Sequence, residues 1–133
     1  MKEAKWLIDT DVLVDYLRGV PQAIQFLKQT MADSVCYIST ITIAELYVGV
    51  REGKERPILD QFIQEFQIAV VNEKAAQQGG LIRRDYGKSH GIGLADAIIA
   101  ATAEELEIGL VTLNKKHYPM IKKIHVPYQK AIR

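Results

Sequence analysis

The sequence contains three carboxylic acids whose positions suit metal chemistry: Asp9, Glu45 and Asp96. Asp9 directly follows the apolar run 6–8, and Glu45 stands within the mostly apolar stretch 42–47. A carboxylate in such surroundings is costly unless it is paired or bound to a cation. Several carboxylates in one place also repel each other and raise each other's proton affinity. A hard divalent cation removes this conflict, and oxygen ligands favour Mg²⁺ or Mn²⁺ over zinc.

The aspartates also have simpler explanations. Asp9 could be an ordinary turn acid at the end of a strand, and Asp96 could be a partner of the dipole of a predicted helix. Asp11 is either the N-cap of the first helix or a residue that assists the metal. Asp15 is expected to face solvent. The spacing of the acids alone therefore supports a metal site only weakly.

The hydrophobic pattern predicts strands that alternate with helices. Short apolar runs predict strands at residues 6–8, 35–38, 68–71 and 109–112, with a final edge strand at 124–127. This alternation is typical of a parallel sheet with helices on both faces, so the predicted class is α/β, in one domain that spans residues 1–133. Functional residues of such sheets gather at the carboxyl ends of the strands, which places Asp9 and Asn114 at one edge.

Composition narrows the setting of the protein. The 133 residues are 48% hydrophobic and 25% charged, which is typical of a globular domain. The one cysteine, Cys36, excludes an internal disulfide and is expected to be a buried core thiol, which suits a cytoplasmic protein. No apolar stretch approaches the roughly 18 residues of a membrane span, so no membrane association is expected.

The net charge of +1 conceals two local basic clusters. One contains Arg83 and Arg84, and the other contains Lys115 and Lys116, directly after Asn114. Surface charge of one sign suits a polyanionic or acidic partner. A solvated face without a partner explains the same charges equally well.

Four segments, taken together, resemble the PIN domain family, and specifically the VapC-type toxins of toxin–antitoxin pairs. They are LIDTDVLVDYL (7–17), STITIAELYVG (39–49), GLADAIIAATA (93–103) and LVTLN (110–114). Each motif is weak alone, but order, spacing and total length fit the family over nearly the whole chain. The resemblance implies a three-layer α/β/α sandwich with a central, mostly parallel sheet of four to five strands.

The resemblance also implies a function, namely a metal-dependent endoribonuclease that hydrolyses RNA phosphodiester bonds as the toxin of a toxin–antitoxin pair. The implied catalytic residues are Asp9, Glu45, Asp96 and Asn114. The three carboxylates among them would bind Mg²⁺ (or Mn²⁺). Supporting roles are implied for Thr10, Asp11 and Thr112.

This sequence departs from an all-acid site at Asn114, so one firm metal position and one weaker position are expected. Relatives often carry an aspartate–aromatic pair just downstream, where this chain has Lys116-His117-Tyr118. The likeness implies three partners: an RNA substrate, a small cognate antitoxin over the acidic cleft, and a second copy of the chain in a homodimer. The helices after residue 20 and after Pro57 are expected to form a clip for the antitoxin and for the second copy of the chain. The basic residues Arg83, Arg84, Lys115 and Lys116 would hold the RNA backbone or meet an acidic antitoxin segment.

Two other functions are compatible with parts of the pattern. A degenerate PIN domain would bind RNA or protein without cleavage, and Asn114 keeps this alternative open. A phosphoacceptor receiver domain would share the doubly wound sheet and an aspartate after the first strand. That class needs an aspartate after its third strand, however, and the corresponding stretch 70–73 contains none.

Overall fold

A computed structural model describes residues 4–129 and contains one sheet of five strands. The strands of this part of the chain are β1 (Lys5–Ile8), β2 (Val35–Ser39), β3 (Gln67–Ala69), β4 (Gly109–Val111) and β5 (Ile124–His125). The helices are α1 (Thr10–Leu17), α2 (Pro21–Asp33), α3 (Thr40–Val48), α4 (Glu55–Ile63), α5 (Glu73–His90) and α6 (Leu94–Leu106), with a 3₁₀ turn at Lys115–His117. The five predicted strands are therefore all present, within two residues of their predicted limits.

The sheet has the strand order β3-β2-β1-β4-β5, and every neighbouring pair is parallel. The central strand is β1, where Trp6 pairs with Cys36 of β2 and with Gly109 of β4. Because the strands are parallel, the residues that follow β1, β2 and β4 all emerge at one edge of the sheet. This edge is where the sequence places its candidate functional residues.

Helices cover both faces of the sheet because side chains alternate along each strand. On β1, Leu7 packs into a core with α5 and α6, whereas Ile8 packs into a second core with α1 to α4. Both side chains are completely buried. These two cores on opposite faces confirm the predicted three-layer α/β/α architecture.

The predicted core thiol is confirmed. Cys36 lies in β2 with 6% exposure, and burial, with a smaller effect of Asp33, raises its pKa to about 11. Across residues 4–129, no helix combines the length and apolar character that a membrane crossing requires.

The prediction for Asp15 is wrong. Asp15 is only 4% exposed, and one of its carboxylate oxygens accepts a hydrogen bond of 2.9 Å from the Tyr128 hydroxyl. The segment near the end of the chain therefore lies against α1. Helical spacing along α1 cannot reveal this contact, because Tyr128 is 113 positions away from Asp15.

Candidate active site

Asp9 is the N-cap of α1, and hydrogen-bond donors hold both of its carboxylate oxygens. Oδ1 accepts from the Thr10 amide at 2.8 Å, and Oδ2 accepts from the Thr112 hydroxyl at 2.8 Å and the Tyr118 hydroxyl at 2.9 Å. The residue is 4% exposed. Burial raises its pKa, the three donors oppose that rise, and the charge of Glu45 adds to it. Asp9 is therefore a buried acid with a fixed orientation.

Asp11 is not the helix cap that one interpretation of the sequence predicted, because Asp9 occupies that position. It lies in the first turn of α1, where its Oδ2 accepts from the Leu113 amide at 3.0 Å. Its Oδ1 is buried and has no hydrogen-bond partner among residues 4–129. Burial, followed by the charge of Asp9, raises the pKa of Asp11 to about 7. Asp11 thus adds a second, half-buried carboxylate beside Asp9.

Glu45 reaches the same edge from α3, although it is exposed rather than buried among its apolar neighbours. The apolar neighbours of Glu45 in the sequence suggested a buried side chain, but α3 turns both Ala44 and Glu45 toward solvent. The Thr10 hydroxyl donates to Glu45 Oε1 at 2.6 Å and also lies 3.0 Å from the hydroxyl of the buried Thr42. This hydroxyl pair connects α1 to α3 beside Asp9. Thr42 was not singled out by the sequence.

Asp96 enters from α6, in the first turn that the sequence predicted. Its side chain is 35% exposed. Burial, followed by the charges of Asp9 and Glu45, raises its pKa to about 6, and the Tyr118 hydroxyl opposes the rise. The fold therefore brings Asp9, Glu45 and Asp96 from three separate helices within electrostatic reach of one another.

Asn114 follows β4, and its amide nitrogen lies 3.0 Å from Nδ1 of His117. That same ring nitrogen lies 3.9 Å from Asp96 Oδ2, so His117 stands between Asn114 and Asp96. No role for His117 was predicted from the sequence. The contact depends on the 3₁₀ turn, which places residues three positions apart on one side.

Tyr118 is the third residue of the site for which the sequence predicted no role. It is 1% exposed, and its hydroxyl donates to Asp9. Burial, with the nearby charges of Asp9 and Asp96, raises its pKa well above the ordinary range, so the phenol keeps its proton. Its position beside the 3₁₀ turn was visible in the sequence, but its contact with a residue 109 positions away was not.

The candidate RNA-binding residues lie on two different elements of the structure. Lys115 and Lys116 are exposed and directly follow Asn114 in the 3₁₀ turn. Arg83 and Arg84 are exposed on α5, and Arg84 pairs with Asp85 at 2.8 Å. In the described part of the chain, no hydrogen bond or ion pair links these four residues to the acidic cluster.

The acidic edge is a candidate site for a divalent cation. Within residues 4–129, no three His, Cys, Asp or Glu side chains stand close enough together to hold a metal ion in their present rotamers. The donor set nevertheless fits one, because it consists of carboxylate oxygens that raise each other's pKa and includes the unpartnered Oδ1 of Asp11.

The family of the chain follows from comparison with known proteins. The model of the PIN domain family matches residues 6–123. The chain belongs to the PIN domain family. Among curated relatives, ribonuclease VapC10 of Mycobacterium tuberculosis is 37% identical over 123 residues, which is 92% of each chain. Ribonuclease VapC19 of the same organism is 38% identical over 124 residues, which is 92% of this chain and 98% of that protein.

Solved structures agree with this assignment. A toxin–antitoxin complex from Klebsiella pneumoniae superposes with a TM-score of 0.79 at 30% sequence identity, over 93% of this chain and 98% of that one. The family predicted from four short segments is thus confirmed, as is its fold. In this PIN domain, the acidic edge is formed by the N-termini of α1 and α6 and by the exposed side of α3.

Proposed function

We propose that this PIN domain is a metal-dependent endoribonuclease and the toxin of a toxin–antitoxin pair. One observation carries the proposal: Asp9 and Glu45 lie close enough to Asp96 to raise its pKa, at the carboxyl edge of a parallel sheet. The relatives named ribonucleases support the reaction class. The similar toxin–antitoxin complex supports the pairing with an antitoxin.

In this proposal, Asp9, Glu45 and Asp96 hold Mg²⁺ or Mn²⁺, with the Asn114 side chain as a neutral fourth member. When bound, the cation supplies positive charge that stabilises the phosphate as it becomes more negative and promotes ionisation of water. The chain's own hydroxyl groups orient the acids: Thr112 holds Asp9, and Thr10 holds Glu45. Asp11 adds negative charge beside Asp9 and so strengthens cation binding. These three residues keep the supporting roles that the family likeness implies.

In this proposal, exposed basic side chains hold the RNA backbone. Lys115 and Lys116 are best placed, because they directly follow Asn114. Arg83 and Arg84 contribute from α5, and Arg84 less so, since Asp85 already neutralises part of its charge. Binding through phosphate contacts makes affinity fall as salt concentration rises.

The antitoxin occupies an apolar groove of about 460 Å³ that leads away from the acids. Its walls come from α1, α3 and α4, and Glu45 lies in its lining. Leu17 and Ile58 expose 40% and 62% of their surfaces in this groove. An antitoxin segment with apolar side chains fits the groove, and a basic side chain on it would reach Glu45.

The clip predicted for the antitoxin consisted of α2 and α4. Of these two helices, only α4 lines the groove. An Ile58→Asp variant should bind the antitoxin more weakly than wild type and keep its cleavage activity.

The homodimer stays a prediction, and light scattering on the purified chain tests it.

Cleavage of RNA by the purified chain tests the proposed activity. Wild type should cut RNA with Mg²⁺ or Mn²⁺ and stop when EDTA is added. Asp96→Asn should lower the cleavage rate by more than about 100-fold. Substitution of residues that only orient the ligands of a metal typically lowers activity by about 10–100-fold, and Asp96 is proposed to be a ligand itself. Asp33→Asn, at the exposed C-terminal end of α2, is the matched control and should cut normally. Wild-type protein that binds RNA and leaves it uncut would favour the non-cleaving alternative instead.

A further inference from the structure

The Tyr118 hydroxyl makes a buried contact with Asp9 that core packing alone does not require. The ring is 1% exposed and packs in the core formed with α5 and α6. The backbone around it is fixed, since its amide donates to the Lys115 carbonyl at 2.9 Å and its carbonyl accepts from Ile121 at 3.1 Å. A phenylalanine would fill the same space. The hydroxyl therefore has a role of its own, in its 2.9 Å bond to Asp9 Oδ2.

The hydrogen-bond donors around the Asp9 carboxylate indicate what that role is. An ionised carboxylate has about four acceptor positions, two on each oxygen. Oδ2 accepts from both Thr112 and Tyr118, so its two positions are occupied. Oδ1 accepts only from the Thr10 amide among the described residues, so one of its positions is left.

We propose that Tyr118 is a positioning residue, whose hydroxyl occupies Asp9 Oδ2 together with Thr112 and so leaves Oδ1 as the oxygen offered to a divalent cation. The inference rests on the proposed function in one respect, which is that Asp9 binds a cation. The part that concerns orientation does not depend on the metal. Without the Tyr118 hydroxyl, one acceptor position on Oδ2 opens and the carboxylate can rotate about its last torsion.

Tyr118 also faces a second acid of the site. Its hydroxyl opposes the rise in the pKa of Asp96, so it interacts with acids from both α1 and α6. Partners of this kind typically change metal affinity by about 10–100-fold when they are removed.

The test compares Tyr118→Phe with Tyr47→Phe. Both substitutions remove one hydroxyl that donates to a carboxylate, but Tyr47 donates to Asp60 on the exposed side of α3 and α4. Calorimetric titration with Mn²⁺ should give about tenfold weaker binding for Tyr118→Phe, whereas Tyr47→Phe should match wild type. Equal Mn²⁺ affinity in all three proteins would overturn the role of Tyr118 toward the metal.

A second measurement needs no metal and separates this inference from the proposed function. In crystals of metal-free Tyr118→Phe, the Asp9 carboxylate should turn away from its wild-type orientation or occupy two orientations. A single carboxylate orientation identical to wild type would overturn the positioning role. If wild type neither binds Mn²⁺ nor cuts RNA, the proposed function fails, and the orientation of Asp9 still decides whether Tyr118 positions it.

Discussion

The Thr10 hydroxyl donates to Glu45 Oε1 over 2.6 Å and thereby joins the first turn of α1 to α3. Thr10 directly follows Asp9, so one short segment both supplies a buried acid and holds an exposed one. Glu45 has no other side-chain hydrogen bond within residues 4–129. Its position at the acidic edge therefore depends on this contact.

Replacement of Thr10 by valine should lower cleavage by about tenfold, the lower end of the range for residues that orient metal ligands. Valine keeps the shape of threonine and removes the donor, so Glu45 is free to turn toward solvent. Initial rates of RNA cleavage with Mg²⁺ measure the effect. Thr102→Val is the control, because the Thr102 hydroxyl bonds the Ile98 carbonyl inside α6. Equal losses in the two variants would show that Thr10 acts only through stability.

The sequence predicts well those site residues whose positions are set locally. Asp9 follows a buried strand and Asp96 opens a helix, so strand order and helix phase are enough to bring them to one edge. Glu45 is harder, because the middle of α3 says nothing about which neighbour holds the side chain. The residue that holds Glu45 is Thr10, 35 positions earlier, and the two meet only when the sheet has formed.

Residues buried by distant contacts could not be predicted in this way. Tyr118 reaches Asp9 across 109 positions, and Tyr128 covers Asp15 across 113. In both pairs a carboxylate accepts from a phenol of the last quarter of the chain. Neither pair leaves a periodic pattern, since helical and strand spacing report only on neighbours within an element.

Asp96→Asn should stabilise the metal-free protein while it removes cleavage. The pKa of Asp96 is raised to about 6, so at higher pH its ionised form stands at a cost beside Asp9 and Glu45. Because the side chain is 35% exposed, solvent screens the charge and the gain is reduced to about 1 kcal/mol. Melting in EDTA should show a gain of a few degrees near pH 8 that shrinks toward pH 5. Asp85→Asn should show no such gain, and a loss of stability in Asp96→Asn at high pH would contradict the prediction.

The stability of the metal-free wild type should fall as pH rises from about 5 to about 8. Folding raises the pKa of Asp11 from 3.8 to about 7 and that of Asp96 to about 6. The folded protein therefore binds more protons than the unfolded chain in this window, and the free energy of unfolding decreases with pH. Urea denaturation in EDTA measures the slope. Added Mn²⁺ should flatten it, because a cation offsets the repulsion, and Asp11→Asn should flatten it without metal. If the free energy of unfolding instead increased with pH, folding would not raise the pKa values of these acids.

Gly79→Ala and Gly80→Ala should change stability in opposite directions, although they are neighbours on α5. A Cβ at Gly79 would lie 2.8 Å from the Ile98 Cα of α6, which is backbone and cannot turn aside, whereas a Cβ at Gly80 meets nothing within 4 Å. Gly80→Ala should raise the free energy of unfolding by about 0.5–1 kcal/mol, the usual gain in a helix interior. Gly79→Ala should lower it by about 1–3 kcal/mol, the cost of overpacking. Because α6 carries Asp96, forcing the helices apart should also reduce cleavage, and urea denaturation with RNA cleavage measures both effects. Stabilisation by both alanines would mean that α6 can move away from α5 without cost.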